Sequence, residues 1–213
     1  MSSWRLLLTR PTQESAALAA TLAQQGIYSS SLPLLAIEPL SERAEQRATL
    51  NDLSRYCAVI VVSKPAARLS LGLLQRYQLL MPTEQPWFSV GAATGQILRE
   101  HGLQVHYPEH ADDSEALLGL PPFQQALALA DNPRVLIVRG EGGREFIADC
   151  LRSQGATVDY LPLYRRGQPD YPATALLAQL EGQQLNAVLV SSEKALPVCA
   201  SWRRMTGRKW PVG

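Results

Sequence analysis

Apolar residues in this chain fall into short unbroken runs separated by amphipathic stretches. Leu6–Leu8, Ala58–Val62, Val135–Val138 and Ala187–Val190 are such runs. Their length and their Val, Ile and Leu content read as strands buried on both faces, the pattern of a parallel sheet. Between them, SAALAATLAQQ (15–25), PAARLSLGLLQRY (65–77), ATGQILREHG (93–102) and REFIADCLRSQ (144–154) carry apolar positions at helical spacing. Two of these helices run into glycine, Gly26 and Gly155, which suits a left-handed helix cap. WFSVG (87–91) and QVHY (104–107) add two further short strands. The alternation predicts an α/β protein whose parallel sheets are covered by helices.

The pattern repeats. QGIYSSSLPLL (25–35) and QGATVDYLPLY (154–164) stand at an offset of 129 positions, as from Gly26 to Gly155. The same offset pairs Arg5 with Arg134, Leu7 with Leu136, Arg10 with Arg139 and Pro33 with Pro162, and it sets AVIVVS (58–63) on AVLVSS (187–192). Proline interrupts the segments after each Leu-Pro-Leu, LAIEP (35–39) and YRRGQP (164–169), which read as extended connectors. The expected layout is a discontinuous first domain of residues 1–36 plus 168–213 and a second domain of residues 40–163. The connectors, 35–39 and 164–169, would run side by side beneath a ligand cleft. Similarity between the copies fades after Ala195, and counterparts of Gly91 and Thr94 would fall beyond Gly213. The second copy is expected to be incomplete through a frameshift or altered end, leaving the first domain short of its last strand and helix, with an unpaired sheet edge; a naturally short and divergent terminus is the other reading.

Composition narrows the function. With 46% apolar and 18% charged residues the chain has the makeup of a folded globular protein, and its net charge of +1 argues against a nucleic-acid or membrane-surface binder. The apolar run near the N-terminus is too short for a signal peptide, and no stretch approaches the ~20 apolar residues of a membrane span. Cys57, Cys150 and Cys199 lie far apart without metal-ligand spacing, which favours free thiols in a cytoplasmic protein. His101, His106 and His110 fall across a helix end, a strand and a loop, so no metal site is expected. No Ser-His-Asp order or HExxH motif occurs.

Chemistry concentrates where strands turn into helices. GEGGRE (140–145) comes after VLIV and reads either as an anion cradle at a helix N-terminus or as a plain tight turn; it is neither GxGxxG nor a Walker A sequence. VGAATG (90–95) has the same setting, with Gly91 and small alanines allowing close approach and Thr94 offering a hydroxyl; helix capping alone also accounts for it. Ser63 and Ser192 end equivalent strands, at the edge where ligands bind in open α/β sheets, and serve equally well as caps. Tyr164 replaces the Leu35 of the first copy, which makes it the one asymmetric candidate for a proton donor; stacking against the connector accounts for it equally well.

LLLTRP, LPLLAIEP, VIVVS, SVGAATGQILREHG, DDSEALL, the run from VLIVRGEGG to LPLYRR, and AVLVSS, in this order and spacing, resemble the uroporphyrinogen-III synthase family from Trp4 to Ala195. The resemblance implies two α/β domains joined by a two-stranded connector. It implies a cytosolic monomeric hydro-lyase, without cofactor or metal, that closes hydroxymethylbilane to uroporphyrinogen III with inversion of ring D. Carried over by position, Tyr164 would be the acid that assists departure of the hydroxyl and Thr94 would bind a substrate carboxylate. Ser63, Gly91 and Ser192 would line the cleft, with Arg10 and Lys64 as further contacts. The family's second VGxxT has no counterpart here, so impaired activity is expected. The competing reading is a two-domain small-molecule binding or sensor protein without catalysis; a nucleotide-dependent transferase rests on GEGG alone.

Overall fold

The computed structural model describes residues 4–109, 113–172 and 174–190. In chain order its elements are β1 (Arg5–Leu8), α1 (Thr12–Gln24), β2 (Tyr28–Ser31), β3 (Ala36–Pro39), α2 (Ala44–Asn51), a 3-10 turn (Leu53–Arg55) and β4 (Ala58–Val61). Next come α3 (Lys64–Arg76), β5 (Trp87–Ser89), α4 (Ala92–Arg99), β6 (Val105–His106), α5 (Ser114–Leu118) and α6 (Pro121–Ala128). The last elements are β7 (Arg134–Gly140), α7 (Phe146–Ser153), β8 (Thr157–Gly167), α8 (Ala175–Gly182) and β9 (Ala187–Leu189). The helices α2, α5 and α6 had no clear periodic signal: α5 spans only five residues, and α2 buries little beyond Gln46 and Leu50.

The chain clusters into two compact units, one of the described residues up to Ile37 with those from Arg166 on, the other Glu38–Arg165. It passes between them within β3 and returns within β8. The first unit holds a three-stranded sheet in the order β2-β1-β9, all parallel. Its core gathers Leu7 and Leu32 with Leu176, Leu180 and Leu185. The larger sheet has the order β3-β8-β7-β4-β5-β6, and β8, β7, β4, β5 and β6 run parallel. Every residue of β4 is buried, as are the inner five of β7, so the continuous apolar runs lie where both faces of the sheet are covered. Ile60, Phe88, Ile137, Leu117, Phe123 and Leu151 form the centre of its core, with Phe88 and Phe123 edge to face at 4.9 Å.

Two kinds of strand pairing occur at positions 129 apart. Arg5 pairs with Tyr28 and Arg134 with Thr157; Leu6 pairs with Ala187 and Val135 with Ala58. The helix ends match too. Gly26 (φ 68°) and Gly155 (φ 86°) sit in the left-handed region, and the next residues, Ile27 and Ala156, donate back to Leu22 O and Leu151 O at 3.0 Å each. Side chains resist that conformation, so the repeated Gln-Gly stops both helices at the same point.

Pro162 leaves its mark on β8. Having no N–H, it cannot continue the ladder, and after the pairing of Arg139 with Pro162 comes that of Gly140 with Tyr164, leaving Leu163 as the extra residue of a bulge. The carbonyl of Leu163 accepts instead from Leu40 N at 2.9 Å. Among the described residues no helix is long and apolar enough to cross a membrane.

Candidate functional site

Because β8, β7, β4 and β5 are parallel neighbours, their C-terminal ends and the loops that leave them lie along one edge of the sheet. The row is Tyr164, the loop from Gly140 to Glu145, Ser63 with Lys64, and Gly91 with Thr94. It spans three strand spacings, about 14 Å. This edge brings together five of the seven residues singled out from sequence. Arg10 comes after β1 in the other unit, where its carbonyl accepts from Ser15 Oγ at 2.9 Å. Ser192 lies outside the described residues, as do His110 and the divergent end beyond Val190.

Tyr164 is 1% exposed, and its hydroxyl lies 2.9 Å from Ser63 Oγ. Ser63 is the N-cap of α3, in extended conformation, with Oγ accepting from Ala66 N at 3.3 Å. One serine thus joins the phenol to the positive end of a 13-residue helix. The Tyr164 ring rests on Gly140: a Cβ there would stand 2.7 Å from both Cε2 and Cζ. Glu141 N donates to Tyr164 O at 2.7 Å, which ties the loop after β7 to the tyrosine backbone.

That loop is a turn folded round Arg139, the second of the two readings that GEGGRE left open. Arg139 donates to Gly140 O at 3.3 Å, to Gly142 O at shorter range and to Glu145 Oε1 at 2.8 Å, and its guanidinium stacks over Tyr160 at 4.9 Å. The carbonyls gather round an internal cation, and α7 begins only at Phe146, behind its own carboxylate at Glu145. The hydrogen bond from Tyr160 OH, aided by Arg139 against the opposing effect of burial, holds Glu145 below the usual carboxylate range.

At the other end of the row, Gly91 caps α4 in extended conformation (φ −139°), and its carbonyl accepts from Thr94 N at 3.1 Å and Ser89 Oγ at 3.0 Å. Thr94 is buried in the first turn. Gly95 abuts Tyr107, whose hydroxyl takes a 2.7 Å bond from Arg99. Neither α3 nor α4 has an acidic residue in its first turn, and α3 starts with Lys64. A cation at a helix N-terminus opposes the dipole, so the arrangement favours an anionic ligand.

Sequence reading missed one polar cluster. Asp159 accepts from Tyr56 OH (2.9 Å), Arg134 Nε (2.8 Å) and Arg55 (3.3 Å), beside a cavity of about 310 Å³. Burial raises its pKa, but the bonds from Tyr56 and Arg134 outweigh that and hold it below the ordinary value. Tyr56 stands about a hundred positions away in the chain; only the departure from Ser30 in the first copy hinted at the cluster. His101 bonds Ile97 O at 2.9 Å and His106 lies against Phe88, and among the described residues no group of three His, Cys, Asp or Glu side chains converges as metal ligands.

The protein-family model for uroporphyrinogen-III synthase HemD matches residues 16–208. The chain belongs to the uroporphyrinogen-III synthase family. A uroporphyrinogen-III synthase of Proteus mirabilis is 34% identical over 169 residues, covering 78% of this chain and 82% of that one. That of Salmonella typhimurium is 31% identical over 197 residues, 90% of this chain and 76% of its own. In fold, a solved uroporphyrinogen III synthase of Thermus thermophilus is similar at TM-score 0.57 and 18% identity, covering 87% of this chain and 71% of that one.

Proposed function

We propose that this member of the uroporphyrinogen-III synthase family closes hydroxymethylbilane to uroporphyrinogen III, with ring D inverted and water lost, and that Tyr164 is the acid. The observation that carries the assignment is the Tyr164 hydroxyl held at 2.9 Å from Ser63 at the ligand-binding edge of the sheet. Tyr164 gives its proton to the departing hydroxyl as the C–O bond breaks, which releases water and leaves an azafulvene cation. The Ser63 hydroxyl donates to the phenolate so formed, and the positive end of α3 lies behind it. Ring closure through a spiro intermediate inverts ring D, and the proton released on closure of the macrocycle restores the phenol.

The substrate carries eight carboxylates. Thr94 and Gly91 at α4, with Lys64 at α3, offer a hydroxyl, backbone N–H groups and one cation for them, without the strong basic excess that a net charge of +1 rules out. Arg10 and Ser192 of the first domain are further carboxylate contacts in this reading. In this reading the chain forms two α/β domains, residues 1–36 plus 168–213 and 40–163, joined through 35–39 and 164–169 and arising from one duplicated unit. The strand registers and helix caps that recur at the sequence offset favour that duplication. The protein acts as a cytoplasmic monomer on a small-molecule partner.

Tyr164 is 1% exposed, so its hydroxyl meets substrate only after a local rearrangement. The test is turnover of hydroxymethylbilane generated in place, with type I and type III products separated after oxidation. Type III above the spontaneous type I background is expected, and Tyr164→Phe should lower its rate by about a hundredfold or more, the scale of a positioned acid. An unchanged rate in Tyr164→Phe removes the acid assignment. Substrate bound without any type III product favours a binding protein instead.

A further inference from the structure

We propose that Gly140 and Ser63 are positioning residues for the Tyr164 phenol, Gly140 as the surface on which the ring lies and Ser63 as the partner that fixes the hydroxyl. Gly140 is not a glycine for its backbone. Unlike Gly142 and Gly143, at φ 66° and 104°, it is not in the left-handed region, so any residue could adopt its conformation. What it lacks is a side chain, and a Cβ would stand 2.7 Å from Cε2 and Cζ and 3.1 Å from Cε1 of Tyr164. Those are ring atoms of a buried side chain and have no room to yield.

The chain's own repeat marks the pair. Where the second copy has Gly140 and Tyr164, the first has Pro11 and Leu35, while the neighbouring arginine is kept as Arg10 and Arg139. The aromatic ring and the bare backbone beneath it occur together in one copy and are absent together from the other. The bulge at Leu163 sets Tyr164 opposite Gly140, and Ser63 Oγ meets the hydroxyl at 2.9 Å while accepting from Ala66 N at 3.3 Å. With one lone pair engaged by the helix, the serine hydrogen can turn to the phenol oxygen and stabilise it as its proton passes to a substrate.

The role rests on reading Tyr164 as the acid, and the test separates the two. Gly140→Ala, Ser63→Ala and Ser63→Thr are assayed for type III product in the full chain and again with Tyr164→Phe. Gly140→Ala and Ser63→Ala should each lower kcat about tenfold or more with KM changed less than about twofold, as a displaced catalytic group does. Ser63→Thr, which keeps the hydroxyl, should recover most of the loss. With Tyr164→Phe neither substitution should cost anything further. Tyrosine labelled with ¹³C at Cζ gives a second readout, the Tyr164 resonance being the one lost in Tyr164→Phe; it should move in Gly140→Ala and Ser63→Ala. The remaining tyrosine resonances report folding, and if Gly140→Ala disturbs them the Ser63 pair carries the test. A loss undiminished by Tyr164→Phe would place Gly140 or Ser63 on the substrate and overturn the proposal, as would an unmoved Tyr164 resonance. If Tyr164→Phe alone retains turnover, the acid reading falls and the resonance decides the positioning by itself.

Discussion

Gly95→Ala sets two physical effects against each other. Gly95 lies inside α4, where alanine in place of glycine is worth about 1 kcal/mol of helix propensity. Its Cβ, however, would stand 2.7 Å from Cε1 of Tyr107, closer still to Cδ1, and 2.9 Å from the buried Ser89 Oγ. Overpacking of that kind costs about 1–3 kcal/mol. The ring cannot swing away freely, because Arg99 bonds its hydroxyl at 2.7 Å and lies 4.3 Å over its face, contacts together worth about 1 kcal/mol. Packing wins, and Gly95→Ala should destabilise the protein by up to about 2 kcal/mol. Removing the ring should lift most of the penalty, so that in a Tyr107→Ala background the same substitution comes out near neutral or stabilising. The assay is urea unfolding of the four proteins of that cycle, monitored by far-ultraviolet circular dichroism. The coupling between positions 95 and 107 should be at least about 1 kcal/mol. If Gly95→Ala stabilises the parent, or costs the same with and without Tyr107, the packing argument at α4 is wrong.

Glycine substitutions elsewhere separate backbone strain from crowding. Gly26→Ala and Gly155→Ala should each cost about 1–2 kcal/mol in urea unfolding through strain at positive φ alone, since nothing else lies within 4 Å, whereas Gly72→Ala in α3, equally uncrowded and at no positive φ, should stabilise by up to about 1 kcal/mol. Phe123→Ala, which empties a fully buried position against Phe88, should cost about 3–5 kcal/mol in the same assay. The depressed pKa of Asp159 contributes stability that is complete above the unfolded value near 3.8 and is lost as the pH falls through the lower folded value. Asp159→Asn should therefore flatten the acid limb of a plot of stability against pH, and an unchanged limb would show that the bonds from Tyr56 and Arg134 do not hold in solution.

Local signals carried the strands and helix ends. The buried runs at β4 and β7 were legible because strands covered on both faces need unbroken apolar sequence, whereas β1 and β9, read the same way, are only partly buried; Gly26 and Gly155 were legible because a left-handed cap excludes most side chains. Tyr164 was legible as a departure of the chain from its own repeat. Its partner was not: that Ser63 is the one beside it depends on β4 lying next to β7 and β7 next to β8, a strand order that no local pattern encodes. GEGGRE shows the same limit from the other side. Glycines after a strand are compatible with an anion cradle or with a turn, and the choice fell to Arg139, whose side chain fills the loop and draws its carbonyls inward. The sequence by itself determined the apolar strands, the strongly periodic helices and which residue types stand at their ends, because those depend on periodicity and backbone sterics. Which of those ends meet, and which groups are already satisfied when they do, was decided only by the tertiary structure, because hydrogen bonds and close contacts there join residues about a hundred positions apart.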